Sequence, residues 1–269
     1  MRFWRVILLI LCGVVPLLAV LTSILYISQV KARALHDSLM DMTCSNRSST
    51  WRGTQPLAGG LVSAVLASSL IEPEKSAIHV LKVSTKALEV GDEVGDFLSS
   101  VVAVTDSFNL TLSALTQNSP TYASTAPISS SVESFLTSAR DLVVRQTPVL
   151  TDLLRRLDRH VHQAAFVLSL DAELLLESRP ADLSSKTIHD VTCFYAEVKD
   201  CIAAVDHVLH DVQSGLVEER SFLFATYYTN SPILPHVGFQ AAAAMKGHAM
   251  NAVKSLNVMD CIDVFVLPI

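Results

Sequence analysis

Two histidines three positions apart, His207 and His210, stand between two aspartates in the run DHVLHD at positions 206–211. Imidazoles at that spacing share one helix face and, with a carboxylate beside them, can hold a transition metal. The register speaks against an interior site. Counted from Ile202 and Leu209 as core positions, both histidines and both aspartates fall outside the core seam, whereas metal ligands of helical bundles project inward. Solvated or interfacial imidazoles are therefore expected, with a surface or intersubunit metal as the sharper alternative. His160 is the opposite case: it follows Arg155, Arg156 and Arg159 and lands on an apolar seam. It is expected to be a core histidine bonded to a neighbouring helix; the competing reading is a pH switch that loosens the bundle when protonated. The arginines read as a solvated face paired with Asp152 and Asp158.

Motifs that would carry catalysis are missing from the chain: there is no GxSxG, HExxH, CxxC, GxGxxG or P-loop pattern. Paired acids such as Glu72 with Glu74, Asp92 with Glu93, and Glu218 with Glu219 fall at helix ends or exposed positions, where carboxylates are ordinary dipole partners. No catalytic, cofactor-binding or metal-binding residue is assigned, and the expectation is a protein that is not an enzyme.

Cysteine and asparagine chemistry is more informative. Cys12 lies in an apolar run, and Cys44, Cys193, Cys201 and Cys261 form an even set able to make two disulfides. If Cys193 and Cys201 share a helix, their eight-residue spacing amounts to about 12 Å of rise, beyond the ~7 Å limit between bridged Cα atoms. Each then needs a distant partner, which leaves Cys44 and Cys261; four unrelated buried thiols in a reducing compartment are the alternative. Asn46-Arg47-Ser48 and Asn109-Leu110-Thr111 fit the N-glycosylation pattern, making Asn46 and Asn109 candidate acceptors.

Both sequons follow residues 6–28 (VILLILCGVVPLLAVLTSILYIS), which hold no charge and as a helix would reach about 34 Å, enough to cross a bilayer. Pro16 is tolerated in lipid when neighbouring groups re-satisfy the carbonyl it frees. A cleaved signal peptide competes, since Ala32-Arg33-Ala34 resembles a cleavage site, but the run exceeds the ~7–15 residues of a usual signal core, so an uncleaved anchor is favoured. Arg2 and Arg5 nearly balance Lys31 and Arg33 across the span, and the sequons tip the choice toward a lumenal or extracellular body.

The elements that would position these groups read as helices. Ile188, Val191, Tyr195, Val198, Ile202, Val205, Leu209, Val212 and Leu216 keep an unbroken 3,4 spacing over four heptads, the core or interface seam of one long helix. Before it, Leu150, Leu153, Leu157, His160, Ala164, Leu168, Asp171 and Leu175 trace a second stripe, joined to the first by only about six residues, so the two helices should lie antiparallel. Thr147-Pro148 resembles an N-cap and first turn for this helix; otherwise Pro148 kinks a longer helix from near Ser131, whose stripe is Val132, Leu136, Ala139 and Val143. A third stripe runs through Val94, Leu98, Val101, Thr105, Phe108, Leu112 and Leu115, from a helix starting near Glu74. Residues 116–131 read as a flexible connection and 229–235 as a loop; an alanine-rich helix covers about 238–256, and 263–269 (DVFVLPI) is an apolar tail. Residues 57–71 are uncharged and too short to span comfortably, which favours a buried first helix over a membrane-inserting segment.

Composition agrees. In 269 residues, 50% hydrophobic and only 17% charged with 9 glycines, collagen-like, disordered and small disulfide-knot classes are excluded and helices are favoured over a turn-rich sheet protein. Residues 30–269 carry 18 basic and 26 acidic residues, a net charge of −8, which argues against nucleic-acid binding. The expected fold is all-α: a short tail (1–5), a transmembrane signal-anchor helix (6–28), a juxtamembrane segment with a short apolar helix (29–73), an elongated bundle of three to five long helices (74–228), and the loop, helix and tail of 229–269. The expected function is a membrane-anchored ectodomain that contacts the lipid membrane by its anchor and a protein partner, or a second copy, through heptad faces. An accessory subunit of an organellar membrane complex, or a fusion factor, are the alternatives.

Overall fold

Proline lacks the N–H that an α-helix needs and its ring collides with the carbonyl four residues back, so Pro148 should end a helix or distort one. It distorts one. A computed structural model, describing residues 57–118, 125–178, 184–229, 233–258 and 261, carries the helix straight through this position by widening one turn. Residues Leu142–Gln146 form a π turn in which the Thr147 N–H donates to the Leu142 carbonyl five residues back, and the Thr147 Oγ1 reaches the same oxygen at 3.4 Å. The N-cap reading of Thr147-Pro148 is thereby corrected in favour of a continuous helix: the π turn absorbs the missing donor and the ring without a break.

All described secondary structure is helical. Helix α1 is Leu57–Leu66, α2 Pro73–Asn118, α3 Thr125–Asp141, α4 Thr147–Ser178, α5 Ser184–Tyr228 and α6 Leu234–Val258. With α3, the π turn and α4 taken as one stretch, the described residues form five helices. The segment 6–28, Cys44, Asn46 and the tail 263–269 lie outside the described residues. One described stretch, Pro73–Gln117, is long and apolar enough to cross a membrane by length and composition.

Other boundaries moved for local reasons. The 116–131 connection is shorter than its Ser, Thr and Pro content implied: α2 continues to Asn118 and α3 begins at Thr125. Hydroxyl side chains fold back within the helix, as where Thr116 Oγ1 donates to the Leu112 carbonyl at 2.9 Å, so their polarity does not oblige the chain to leave it. Helix α6 starts at Leu234, earlier than its alanine run, with Pro235 in the first turn where a missing N–H costs nothing. Helix α1 ends where the Ser68 hydroxyl donates to the Val65 carbonyl at 2.6 Å. It is not wholly buried: Leu61 and Val65 turn inward while Leu66 is half-exposed.

The chain forms two compact units, each made of segments distant in sequence. One contains Pro56–Val80 and His162–Ala196, the other Leu81–Val161 and Glu197–Ile269. In the first, Val65, Ala77, Val80, Ala164, Leu168, Val191 and Tyr195 are buried; burial pushes the Tyr195 phenol well above its ordinary range. In the second, Phe97, Val101, Phe108, Leu112, Leu150, Leu157, Leu223 and Met245 make the core.

All nine seam positions of α5 are buried, Ile188 through Leu216. The α4 stripe needs one correction. Leu150, Leu154, Leu157 and Val161 face inward, while Leu153 and His160 are only half-buried, because flanking leucine and valine side chains widen the apolar arc and shift its centre by one residue. His160 is thus not a core histidine.

Lysine at a buried α5 seam position must either carry its charge inside or open the core. Val205→Lys combined with Leu209→Lys, at positions 1% and 3% exposed, should abolish the cooperative thermal transition of the protein as followed by circular dichroism. A double variant that melts like the parent would remove these residues from the core.

Candidate interaction surface

Helices α5 and α6 are clasped as an antiparallel pair at two levels. At one, Gly215 leaves room for His248: a Cβ built on Gly215 would stand 2.5 Å from the His248 ring atoms Cδ2 and Nε2. At the other, Cys201 is bonded to Cys261 with their Cα atoms 5.4 Å apart. Moving up α5 by fourteen residues while moving down the α6 side by thirteen is the register of two helices running in opposite directions. Glycine inside a helix costs about 1 kcal/mol, and here it is kept where any side chain would collide with the imidazole.

Four further contacts tie α2 and α3 to each other and to α5 and α6. Lys246 Nζ of α6 donates to both Asp106 carboxylate oxygens of α2, at 2.7 and 2.9 Å. Phe108 of α2 stacks on Phe135 of α3 with ring centroids 4.1 Å apart. Arg220 Nε of α5 donates to the Leu136 carbonyl of α3 at 3.4 Å. A Cβ on Gly238 of α6 would lie 3.0 Å from Leu112. Together these bring residues 107–118, 125–139, 221–229 and 233–245 to one end of the unit, and the sequence from 107 to 139 and from 221 to 245 contains a single Asp, Glu, Lys or Arg, namely Glu133.

The outward face of α5 changes character on entering that end. Lys199, Ala203, Asp206 and His210 are exposed and mostly polar; then the same face presents Val217, Ser221, Phe224 and Tyr228. Spacing of 4, 3 and 4 keeps these four on one stripe, opposite the buried seam. Val217 is 43% exposed, Phe224 44% and Tyr228 68%; Phe222, 54% exposed, lies about 130° round the helix from the centre of this stripe. Phe224 and Tyr228 already pack on each other at 4.5 Å, and Tyr227 meets Tyr228 edge-on at 5.3 Å. These residues were not singled out from sequence. The signal available was a second 3,4 repeat out of phase with the first, in a segment where charge stops.

The residues that were singled out are placed as follows. Cys201 and Cys261 are brought together as one disulfide, and Cys193 is also disulfide-bonded, with its sulfur 3.7 Å from His189 Nε2. Asn109 lies within α2, half-buried, with its Oδ1 enclosed and unpartnered while Leu110 and Thr111 are exposed. His207 is on the surface, its Nδ1 3.6 Å from Asp211, and His210 is exposed beside it; among the described residues no three His, Cys, Asp or Glu side chains converge as a metal site. Arg156 pairs with Asp152 at 2.5 Å on the solvated side of α4.

Two polar features sit outside the aromatic face. A groove of about 590 Å³ runs beside the π turn between Glu93, Asp96 and Ser100 of α2 and Arg145, Gln146 and Val149; Arg145 is committed to Asp141 at 3.5 Å. In the other unit, Asp171 is 5% exposed and receives a hydrogen bond from the Ser76 hydroxyl at 3.0 Å. Burial raises the Asp171 carboxyl above the ordinary aspartate range and nearby Glu72 adds to this, against the opposing influence of Ser76 and Lys75. In the aromatic unit, burial and Glu218 likewise raise Glu219, with His248 pulling it back.

No family model, no curated protein and no solved structure matches the chain.

The clasp and the buried carboxyl each make a measurable claim. Cys201→Ser with Cys261→Ser opens a loop of 60 residues' separation and should lower stability by about 4 kcal/mol on loop-closure entropy, read from urea unfolding midpoints. For Asp171 the folded form has the higher pKa, so its neutral state is the favoured one and the stability it contributes is lost as pH rises through that pKa. Asp171→Asn, which keeps an acceptor for Ser76, should therefore melt above the parent at pH 7, and the gap should close as pH falls toward 4. A gap that does not change with pH would contradict the assignment.

Proposed function

We propose that this chain is a membrane-anchored, all-helical module that works by protein–protein contact, with its body on the oxidising side of the membrane. The observation that carries the reading is the exposed aromatic stripe of α5 at an end of the unit almost free of charge. A folded surface rarely leaves several large aromatics together in water unless something covers them. The inward stripe of α5 is fully used within the chain, so contact with a partner falls to the outward one. Tyrosine and phenylalanine are the residues that anchor such contacts, since they offer a large area at low rotamer cost.

Compartment and anchoring rest on separate support. A buried disulfide is stable where thiols are oxidised, and both sequons follow the charge-free run 6–28. The groove beside the π turn is open and its one arginine is already paired, which gives no reason to place a reaction there.

The full-length chain isolated from its membrane under thiol-blocking conditions tests the reading. The expected result is retention of the protein in carbonate-washed membranes, oxidised Cys201–Cys261 peptides on non-reducing mass mapping, and migration on a native gel as a complex larger than one 29.2 kDa chain. Reduced thiols, or a lone chain in mild detergent with no associated protein, would overturn it.

A further inference from the structure

We propose that the partner covering the aromatic stripe of α5 is a second copy of this chain, packed antiparallel along the same stripe; this deepens the interaction-module reading and rests on it. Four residues, Val217, Ser221, Phe224 and Tyr228, form the exposed seam in 4,3,4 spacing, the pattern by which one helix packs against another of the same period. The spacing is self-complementary. With a two-fold axis midway between Phe222 and Leu223, Val217 faces Tyr228 of the partner subunit and Ser221 faces Phe224 of the partner subunit. Each large side chain then meets a small one, as interdigitating layers require, and each contact occurs twice, as two-fold symmetry requires.

Charge favours the same occupant and the same direction. The chain is net −6, so two copies repel one another over most of their surface and approach most easily where charge is absent. Residues 221–245 contain no Asp, Glu, Lys or Arg. The antiparallel register sets Glu218 beside Ala225 and Thr229 of the partner subunit, and the two copies of Glu218 about 14 Å apart along the axis. A parallel register would set each Glu218 against its own copy and Tyr228 on Tyr228 of the partner subunit. A lipid surface is a poorer fit, because Ser221 stands in the middle of the stripe and Glu218 on its flank, and neither gains from entering hydrocarbon.

The area is of the right size. At roughly 200 Å² for an aromatic residue, the exposed parts of Val217, Phe224 and Tyr228 total about 300 Å² per copy. One side of a standard interface takes about 800 Å², a little over half of it apolar. The stripe thus supplies most of the apolar share of one side, and the Ser, Thr and Gln side chains around it suit the rim.

The test uses the full-length chain in mild detergent, with mass measured by sedimentation and cross-linking read on non-reducing gels. The parent should be a concentration-dependent dimer. Val217→Cys with Tyr228→Cys should yield a covalent dimer on mild oxidation, whereas Tyr228→Cys alone should not, because the two copies of residue 228 would lie about 16 Å apart along the axis. Phe224→Asp with Tyr228→Asp should weaken the dimer at least roughly 100-fold while the chain still folds and melts cooperatively. Cross-linking through Tyr228→Cys alone would show a parallel pairing and overturn the proposal. So would a monomer bound to a different protein, which would leave the interaction-module reading standing. Binding of the parent to phosphatidylcholine vesicles that is lost in the Asp variant, without a dimer, would assign the stripe to lipid and overturn it as well.

Discussion

Nine apolar side chains along the inward face of α5 must leave water together, and most of the architecture follows from how they do so. A 45-residue helix is far longer than its intrinsic propensities can sustain against solvent, so its stability comes from packing one face. Each large residue removed from water contributes roughly 1.5–3 kcal/mol, and this stripe commits nine of them to a single direction. Once that direction is set, α6 runs back along α5, and the notch at Gly215 lets the two backbones come close enough for His248 to fill it.

Irregularities in the helices are tolerated where a neighbour or a local rearrangement supplies what the regular geometry lacks. Pro148 survives inside a helix because the turn before it widens. Asp171 survives in an apolar setting because the Ser76 hydroxyl donates to it, although one donor does not replace a full hydration shell, and the carboxyl is left easier to protonate. The Lys246–Asp106 pair is only half-buried, so its contribution is modest; its effect is to set the register between α2 and α6.

With the inward stripe consumed by the chain's own packing, the interaction proposed for this chain falls to its outward surface. Among the described residues no three His, Cys, Asp or Glu side chains converge as a metal site. What stands out is an aromatic stripe in a charge-poor setting, held on a helix that the core and a disulfide fix in place. Rigid support of this kind reduces the ordering cost of association, which is why such surfaces bind well for their area.

Sequence by itself determined the helical class, the nine-residue seam of α5, the exclusion of a Cys193–Cys201 bridge and the solvated placement of His207 and His210. Each of these depends on periodicity or rise within one helix, which is a local property that composition and spacing carry in full. Tertiary structure alone decided that Cys201 joins Cys261, that Val161 takes the inward position beside which His160 sits half-exposed, and that the helix passes through Pro148. It also decided that the second stripe of α5, Val217, Ser221, Phe224 and Tyr228, is left to the solvent. Those outcomes turn on which distant segments meet: a stripe's existence is written along the chain, but whether anything covers it depends on volumes and directions contributed by other helices.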